Sequence, residues 1–506
     1  MMRILMITVL NIVFYWILIP YSLVLLGGFL DGIFQASLSP EFSLVLGLPM
    51  FILGISISIC ATAYFITDGL GLPISGLSPK KLVKCGPYSF LRHPVYSGFI
   101  LFTLGLTILK RSIWGLILSI VLSISIVLYA VLFEEKKLMK IYGVEYEEYR
   151  KKVGSFIPRG RYGYENCPPP LFVFFYIFGH IIMPFFYKVE IERRCEVPLK
   201  EVVLVSNHVS YLDFAFLLYA VKGYARFPVS SQHFRKHELF YRSVGCFPIK
   251  RYEPDMKAIK NMMKILNEGG RIGIFPEAER SWDGRFLGFK EGFDKLLSKF
   301  PKPYVGVRLE KVHLYFPRWS KRFRSGRIKV VVEKFEDVRK LEGFLSKPSV
   351  DMNDTYPSYD GVEYYLYLCP KCGGVMSIRG SKEGIRCEKC DFKISKPTVG
   401  ELWDLHDEMK KHLSLPIEDE VIMLDEMGGR MDGSKVTLDS SGILTLREEK
   451  IDVRNLKSMI VEGVRDVYLL EGGRLLGFRL LKTSALMWQE VISDLMSSKT
   501  SSFQTR

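Results

Sequence analysis

At ~100–200 residues per domain, a chain of 506 residues excludes a single ordinary core and implies three or four units. Hydrophobic residues make up 48% and aromatics 13%, and the net charge is +15. Long apolar stretches accompany that charge, so it fits a protein held against an anionic membrane face better than a nucleic-acid binder. Of nine cysteines, five (Cys60, Cys85, Cys167, Cys195, Cys246) are scattered, which excludes a disulfide framework and indicates a reducing compartment for the soluble parts.

Ile4 to Leu30 is almost continuously apolar, longer than the ~20 residues a bilayer needs, and lacks a signal peptide's cleavage site, so it reads as a retained helix. A second span runs from about Phe42 to Ile66 and a fourth from about Ile113 to Phe133. Between them, Pro94 to Leu109 is 16 residues long and reads as half of a tight hairpin turning at Lys110-Arg111. A fifth stretch, Leu171 to Tyr187, contains His180 and Pro184 and reads as a re-entrant or interfacial helix. The loop from Asp68 to His93 carries Lys80, Lys81, Lys84 and Arg92, and the segment after Phe133 is also basic. The loop between the first two spans has Asp31 and Glu41 and no basic residue. The positive-inside rule then gives an integral, multi-pass protein with both termini and its soluble domains on the cytoplasmic face.

The run Arg92-His93-Pro94-x-Tyr96-x-Gly98 leads into the third span, and Glu134-Glu135 follows the fourth. Next come Tyr142-Gly143-x-x-Tyr146-x-x-Tyr149 and Ile157-Pro158. On residue chemistry alone this polar cluster at span ends has two readings, interface anchors or a functional site. Taken as a set, these residues resemble the membrane methyltransferases of the isoprenylcysteine carboxyl methyltransferase and phospholipid methyltransferase type, over roughly residues 45–160. The resemblance implies S-adenosylmethionine at the cytosolic end of the bundle, with Arg92, His93, Tyr96, Glu134 and Glu135 as its site and catalysis by positioning. A domain kept only as an anchor is the alternative.

From about residue 190 the pattern becomes α/β. Val202-Val203-Leu204-Val205 suits a buried strand and ends at Ser206-Asn207-His208-Val209-Ser210-Tyr211-Leu212-Asp213, before an apolar helix from Phe214 to Val221. Positions five apart do not share a face of one helix, so His208 lies on the turn with Asp213 reaching back from the first helical turn. The carboxylate then holds the imidazole tautomer, and the imidazole is a general base for a hydroxyl acceptor. Val244 to Arg251 is strand-like and ends in two cations. Asp255 N-caps a helix to Glu268 with Met256, Ile259, Met263 and Leu266 as its apolar face. Ile272-Gly273-Ile274-Phe275 forms another strand, and a helix follows near Phe293 to Phe300.

Three motifs in this order, Asn207-His208-x4-Asp213, Gly245-x-Phe247-x-Ile249-x-Arg251 and Phe275-Pro276-Glu277-x-x-Arg280-Ser281, resemble the glycerol-phosphate and lysophosphatidic acid acyltransferase family over about residues 165–345. The resemblance implies that His208 and Asp213 are catalytic. It further implies that Asn207, Arg251, Glu277, Arg280 and Ser281 bind the acceptor, the arginines on its phosphate. The donor it implies is a thioester, acyl-CoA or an acyl-carrier protein. Two departures stand out: Ala278-Glu279 replaces the usual Gly-Thr, setting a carboxylate beside Arg280, and the fourth motif survives only as Val305-Gly306-Val307.

Near the C-terminus, Cys369-x-x-Cys372 and Cys387-x-x-Cys390 are 14 residues apart, the pattern of a closed, structural four-cysteine zinc ribbon. Short strands follow at Val436–Leu438, Gly442–Leu446, Met459–Glu462, Val467–Leu470 and Leu475–Leu481, with a closing helix at Ala485–Met496. This series resembles pleckstrin-homology-like domains, a generic small sheet being the alternative. Residues 345–360 read as a linker and 498–506 as a disordered tail.

The fold expected is multi-domain: an α-helical transmembrane bundle (1–160), an α/β glycerolipid-acyltransferase-like domain (165–345), a zinc ribbon (362–396) and a small β-rich domain (415–497). The function expected is acyl transfer to a lysophospholipid or glycerol-phosphate hydroxyl, joined to methylation of a lipid-like acceptor. Its partners are the bilayer and the lipid acceptor, with an acyl-carrier protein as one donor option. The competing class is a zinc-ribbon nucleic-acid-binding membrane protein, which the apolar spans disfavour.

Overall fold

The computed structural model describes residues 10, 13–71, 79–163, 166–251, 255–424 and 430–501, and they divide into two units. The first is Met1–Phe178 with Lys222–Tyr224, and the second is Gly179–Val221 with Ala225–Arg506.

In the first unit three helices, Phe14–Phe34, Pro40–Thr67 and Ile113–Lys152, are long and apolar enough to cross a membrane. The expected start of the first span at Ile4 lies outside the described residues. Pro94–Leu109 and Pro170–Phe186 are shorter apolar helices. Glycines let Pro40–Thr67 and Pro94–Leu109 touch backbone to backbone. A Cβ at Gly54 would come within 2.4 Å of Phe102 N, and one at Gly105 within 2.4 Å of Phe51 N. Among apolar surfaces in lipid, such small-residue contact replaces the hydrophobic drive that water would supply. The long helix has a π turn at Ala130–Glu134 and a kink at Gly143, where φ is 52°. One expectation fails in this unit: Cys85 and Cys167 are joined in a disulfide, their Cα atoms 5.5 Å apart, where sequence spacing gave no sign of pairing.

The second unit is built on a mixed five-stranded sheet. Its strands are β1 (Tyr187–Arg193), β2 (Val202–Ser206), β5 (Arg271–Ile274), β6 (Tyr304–Glu310) and β7 (Gly326–Phe335), with β3 (Pro228–Ser230) and β4 (Phe247–Ile249) forming a separate parallel pair. The order is β1-β7-β6-β2-β5, with β6 central and β2 between β6 and β5, parallel to both. Every residue of β2 and β5 is buried, as expected of strands covered on both faces. The helix Met256–Asn267 is N-capped by Asp255, which accepts from Ala258 N at 3.0 Å. Its buried face is Ala258, Met262, Ile265 and Leu266, rotated from the expected one, and Met256 and Met263 are exposed.

Beyond Phe335, β8 (Ile378–Gly380), β9 (Gly384–Cys387) and β10 (Lys393–Ser395) form a small antiparallel sheet carrying two of the four clustered cysteines at its margin. The last region is a seven-stranded antiparallel sheet of β11 (Ile417–Leu424), β12 (Arg430–Leu438), β13 (Ile443–Leu446), β14 (Glu449–Asp452), β15 (Ser458–Glu462), β16 (Asp466–Glu471) and β17 (Arg474–Leu480), closed by the helix Ala485–Ser501. Its order is β14-β13-β12-β11-β17-β16-β15, two consecutive meanders joined through β11 and β17. The expected disordered tail is helical to Ser501, and residues 502–506 lie outside the described residues.

The expected linker at 345–360 is not one: Val350, Tyr356 and Tyr359 are buried. They belong to a single core that also holds Trp282 and Trp319, Cys369 and Cys387 of the cysteine cluster, and Phe478 and Trp488 of the last sheet and helix. Parts of the acyltransferase-like region outside its sheet, the cysteine cluster and the β-rich end therefore share one interior rather than being strung as beads.

Replacing Gly54 by valine is expected to separate the two glycine-seamed helices at a cost of about 1–3 kcal/mol. Thermal unfolding in detergent checks it, with an unchanged melting temperature as the contrary result.

Candidate active sites

In the first unit, Arg92 and His93 are bound to the strand-like segment after the long helix. Arg92 N donates to Gly154 O at 2.9 Å and His93 N to Ser155 O at 3.3 Å. The π turn ends at Glu134, so Glu134 and Glu135 both follow directly from an irregularity of the kind that often marks functional positions. Glu135 is the hub: it accepts from Arg92 Nη1 at 2.8 Å and Ser155 Oγ at 3.0 Å, and lies 3.4 Å from His93 Nε2. His93 stacks between Tyr96 and Phe156 at centroid distances of 5.9 and 5.4 Å. Tyr149, buried, donates to Tyr88 O at 2.5 Å and ties the long helix to the loop before Arg92. All five expected residues thus stand together. Two polar atoms of the cluster, Arg92 Nε and Glu134 Oε2, are buried without a hydrogen-bond partner in the protein, although Arg92 Nη1 is bonded to Glu135 and Glu134 Oε2 lies 3.9 Å from His93 Nδ1. An apolar cavity of about 460 Å³ adjoins, lined by Ile57, Leu91, Ile100, Val127 and Phe156 among others.

In the second unit, β2 ends at Ser206 and the helix Asp213–Val221 begins seven residues later. Asp213, at its first position, turns one carboxylate oxygen back over the connecting loop. Oδ2 accepts from Val209 N at 2.7 Å and Ser210 N at 2.8 Å, and lies 2.7 Å from His208 Nδ1. The carboxylate can only accept, so the imidazole proton sits on Nδ1 and the Nε2 lone pair is left as a base. His208 stacks on Phe275 at 4.3 Å. Burial holds its proton affinity below the ordinary histidine range. Asp213 opposes that shift, and Arg280 and Arg251 reinforce it. A neutral His208 at physiological pH follows.

Three residues expected on the acceptor are occupied elsewhere. Asn207 Nδ2 donates to Leu309 O at 3.0 Å and its Oδ1 accepts from Leu309 N at 2.8 Å, pinning the end of β2 to β6. Glu277 accepts from His208 N at 2.6 Å and Leu287 N at 2.9 Å, which fixes the His208 loop from below. Burial pushes its carboxyl up to about 8, against the pull of those two N–H groups. Ser281 is fully buried. Its N donates to His208 O at 2.9 Å, and its hydroxyl accepts from Gly284 N at 2.9 Å. These side chains hold the His208 loop.

The arginines remain beside the base. Arg280 lies over the Tyr211 ring at 3.2 Å from its centroid, with Nη1 buried and unpartnered. Arg251 donates through Nη1 to Ala278 O at 2.7 Å and through Nη2 to Glu462, with Nε unpartnered. Glu279 does not face Arg280 as its sequence position suggested. It accepts from Arg318 Nη1 at 2.6 Å and from Gln489 Nε2 at 3.1 Å. Arg318, which sequence reading missed, is buried against Trp282 and also donates to Gly463 O and Val461 O at 2.9 Å. Glu462 was missed as well: it stands 211 residues from Arg251 and belongs to no motif, so only the packing of the last sheet reveals it.

The four expected cysteines cluster, their Sγ atoms all within 4.8 Å of one another. Cys369 and Cys390 are 3.7 Å apart and Cys372 and Cys387 3.9 Å. A tetrahedron with ~2.3 Å metal–sulfur bonds has edges of ~3.8 Å, so the cluster fits such an ion.

Residues 188–310 match the acyltransferase family model, and residues 42–145 match that for phospholipid methyltransferase. The 1-acyl-sn-glycerol-3-phosphate acyltransferase LPAT1, chloroplastic, of Arabidopsis thaliana is 29% identical over 162 residues, 29% of this chain and 44% of that protein. The protein-S-isoprenylcysteine O-methyltransferase of Saccharomyces cerevisiae is 33% identical over 130 residues, 25% of this chain and 53% of that one. The chain therefore spans about half the length of each relative. The solved 1-acyl-sn-glycerophosphate acyltransferase PlsC of Thermotoga maritima aligns at 17% identity over 46% of this chain and 91% of its own, with a TM-score of 0.29, too loose a superposition to carry an argument.

Asn207→Ala would strip Leu309 of both buried partners, so stability should fall by roughly 1–3 kcal/mol. Denaturant unfolding of the full chain measures this, and a loss confined to activity would show that the Asn207 clamp is not structural.

Proposed function

For a chain that joins an acyltransferase domain to a phospholipid-methyltransferase-like membrane domain, we propose that it acylates a glycerolipid-type hydroxyl and methylates a lipid-like acceptor. The observation that carries the first activity is the His208–Asp213 pair, with its lone pair free on Nε2 and two guanidinium groups beside it. In the step proposed, Nε2 takes the acceptor's hydroxyl proton as the oxygen bonds to the carbonyl carbon of a thioester. The tetrahedral adduct then collapses, the carbon–sulfur bond breaks, and the thiolate leaves with the proton from Nε2. Acyl-CoA and an acyl-carrier protein offer the same reacting bond. Asn207, Glu277 and Ser281 act by holding the His208 loop, and Arg280 and Arg251 by binding the acceptor.

The second activity rests on the Arg92–His93–Glu135 cluster and its two unpartnered atoms, Arg92 Nε and Glu134 Oε2. S-adenosylmethionine would supply an activated methyl group there. Arg92 suits its carboxylate, Glu134 its amino group, and Tyr96 and Phe156 frame the imidazole between them. The adjoining cavity, lined by Ile100, Val127 and Phe156, suits the hydrocarbon of the acceptor. The four thiols would hold a structural zinc ion. The apolar helices with the basic Asp68–His93 loop support a multi-pass topology with the soluble region on the cytoplasmic face.

His208→Ala should reduce transfer of labelled acyl groups from acyl-CoA by about 1,000-fold or more. Because His208 must be neutral to act and its proton affinity is depressed, kcat/KM should fall as pH drops through a midpoint below ~6.5, the ordinary histidine value. Equal incorporation by variant and wild type would end the acyl-transfer reading, and an acid limb above that value would contradict the buried-base geometry. Separately, calorimetry should give heat on adding S-adenosylmethionine to the wild type and none to the Arg92→Ala, His93→Ala double variant. No heat from wild type would leave the first unit as an anchor.

A further inference from the structure

The acceptor side of the His208 site is not closed by the matched acyltransferase stretch alone. Residues 188–310 carry that match, yet the carboxylate paired with Arg251 comes from Glu462, the last residue of β15 in the C-terminal sheet. Its side chain is largely buried, at 17% exposure, and it also accepts from Ser230 Oγ at 2.8 Å. The backbone around it is clamped in place: Arg318 donates to Val461 O and Gly463 O on either side, both at 2.9 Å. Arg318 is itself held by Glu279, the second residue of the Ala278-Glu279 pair that replaces the usual Gly-Thr of the third motif. A departure in the motif and an acidic residue far beyond it thus belong to one contact.

That contact changes the charge of the seat. Two guanidiniums, Arg251 and Arg280, would together match a doubly charged phosphate monoester. With Glu462 bonded to Arg251, one of the two charges is already met by the chain. A phosphate brought onto Arg251 would face the largely buried Glu462 carboxylate, and like charges so placed repel strongly. The buried donors that remain without a partner, Arg251 Nε and Arg280 Nη1, can be satisfied by uncharged oxygens such as hydroxyl or ester groups. Burial alone would push the Glu462 carboxyl up, but Arg251, Ser230, His233 and Arg280 outweigh it, so the group is held below its usual range and is ionised at neutral pH.

We propose that Glu462 is a specificity-determining residue that fills the phosphate seat of the acyltransferase site, so that the acceptor is a lipid hydroxyl without a neighbouring phosphate monoester. This narrows the acyltransferase reading above and rests on it for the word acceptor, although occupancy of the seat is testable by binding alone.

The test uses the full-length protein in detergent, as wild type, Glu462→Gln and Glu462→Ala. The first variant preserves shape and removes charge, and the second opens the seat. Titration calorimetry with glycerol 3-phosphate should show both variants binding at least ~10-fold more tightly than wild type. Acyl transfer to a monoacylglycerol and to lysophosphatidate should favour the monoacylglycerol in wild type, with the ratio moving toward lysophosphatidate in both variants. Equal glycerol 3-phosphate affinity in wild type and variants, or a wild type that prefers lysophosphatidate, would overturn the proposal and leave acyl transfer intact. Acylation of neither lipid by any protein would overturn acyl transfer, and the binding comparison would still decide whether Glu462 excludes phosphate.

Discussion

One carboxylate oxygen organises the second unit's chemistry. Asp213 Oδ2 draws Val209 N, Ser210 N and His208 Nδ1 onto a single point at the start of a helix, where the unpaired N–H groups of the first turn already favour negative charge. The loop between β2 and that helix has no freedom left once this is done. Asn207 fixes its near end to β6, Glu277 supports it through His208 N, and Ser281 N meets His208 O. Flanked by β6 and β5, β2 gives His208 a rigid mount, and contacts from β6 and from the Glu277–Ser281 stretch secure the turn at its tip. An imidazole so held reorganises little on taking a proton, as preorganised polar groups do.

Much of this arrangement could be read from residue order. A buried apolar run ending at a polar loop before an apolar helix identifies β2 and the His208 turn, and the 3.6-residue spacing requires Asp213 to reach backward. The buried face of Met256–Asn267 was read one step off, because Ala258 contributes no large apolar side chain while Met256 and Met263 do, and methionine tolerates exposure. The strand β11 escaped notice because Asp419 sits at an inward position of its alternation. There it is buried and receives Thr483 N at 2.7 Å and Lys482 N at 2.9 Å. The helix Val399–Lys410 announced itself only by the Thr398/Glu401 capping box. Segment 345–360, rich in Pro, Ser and Asp, looked like a tether, and its tyrosines were the overlooked sign of burial.

What the sequence could not convey is long-range partnership. The motifs lie within a matched stretch of the chain, but the counter-charge of Arg251 and the clamp made by Arg318 come from strands far downstream. The shared core of Trp282, Trp319, Tyr359 and Trp488 explains why: most of the C-terminal region's interior is continuous with that of the acyltransferase-like region. In the first unit the same lesson appears in a different form. Arg92 and His93 lie more than forty residues from Glu135 in sequence and meet it where their backbone N–H groups bond to Gly154 and Ser155, beyond the long helix that carries Glu135.

The order of the last sheet has a consequence for synthesis. Within its sheet β15 pairs with β16, β16 with β17, and β17 with β11, so β15 takes its place in the sheet only once Leu480 has been made. Every residue of the His208 turn leaves the ribosome long before that moment. The nascent chain therefore passes through a period in which the base is assembled and Arg251 still lacks its own anion.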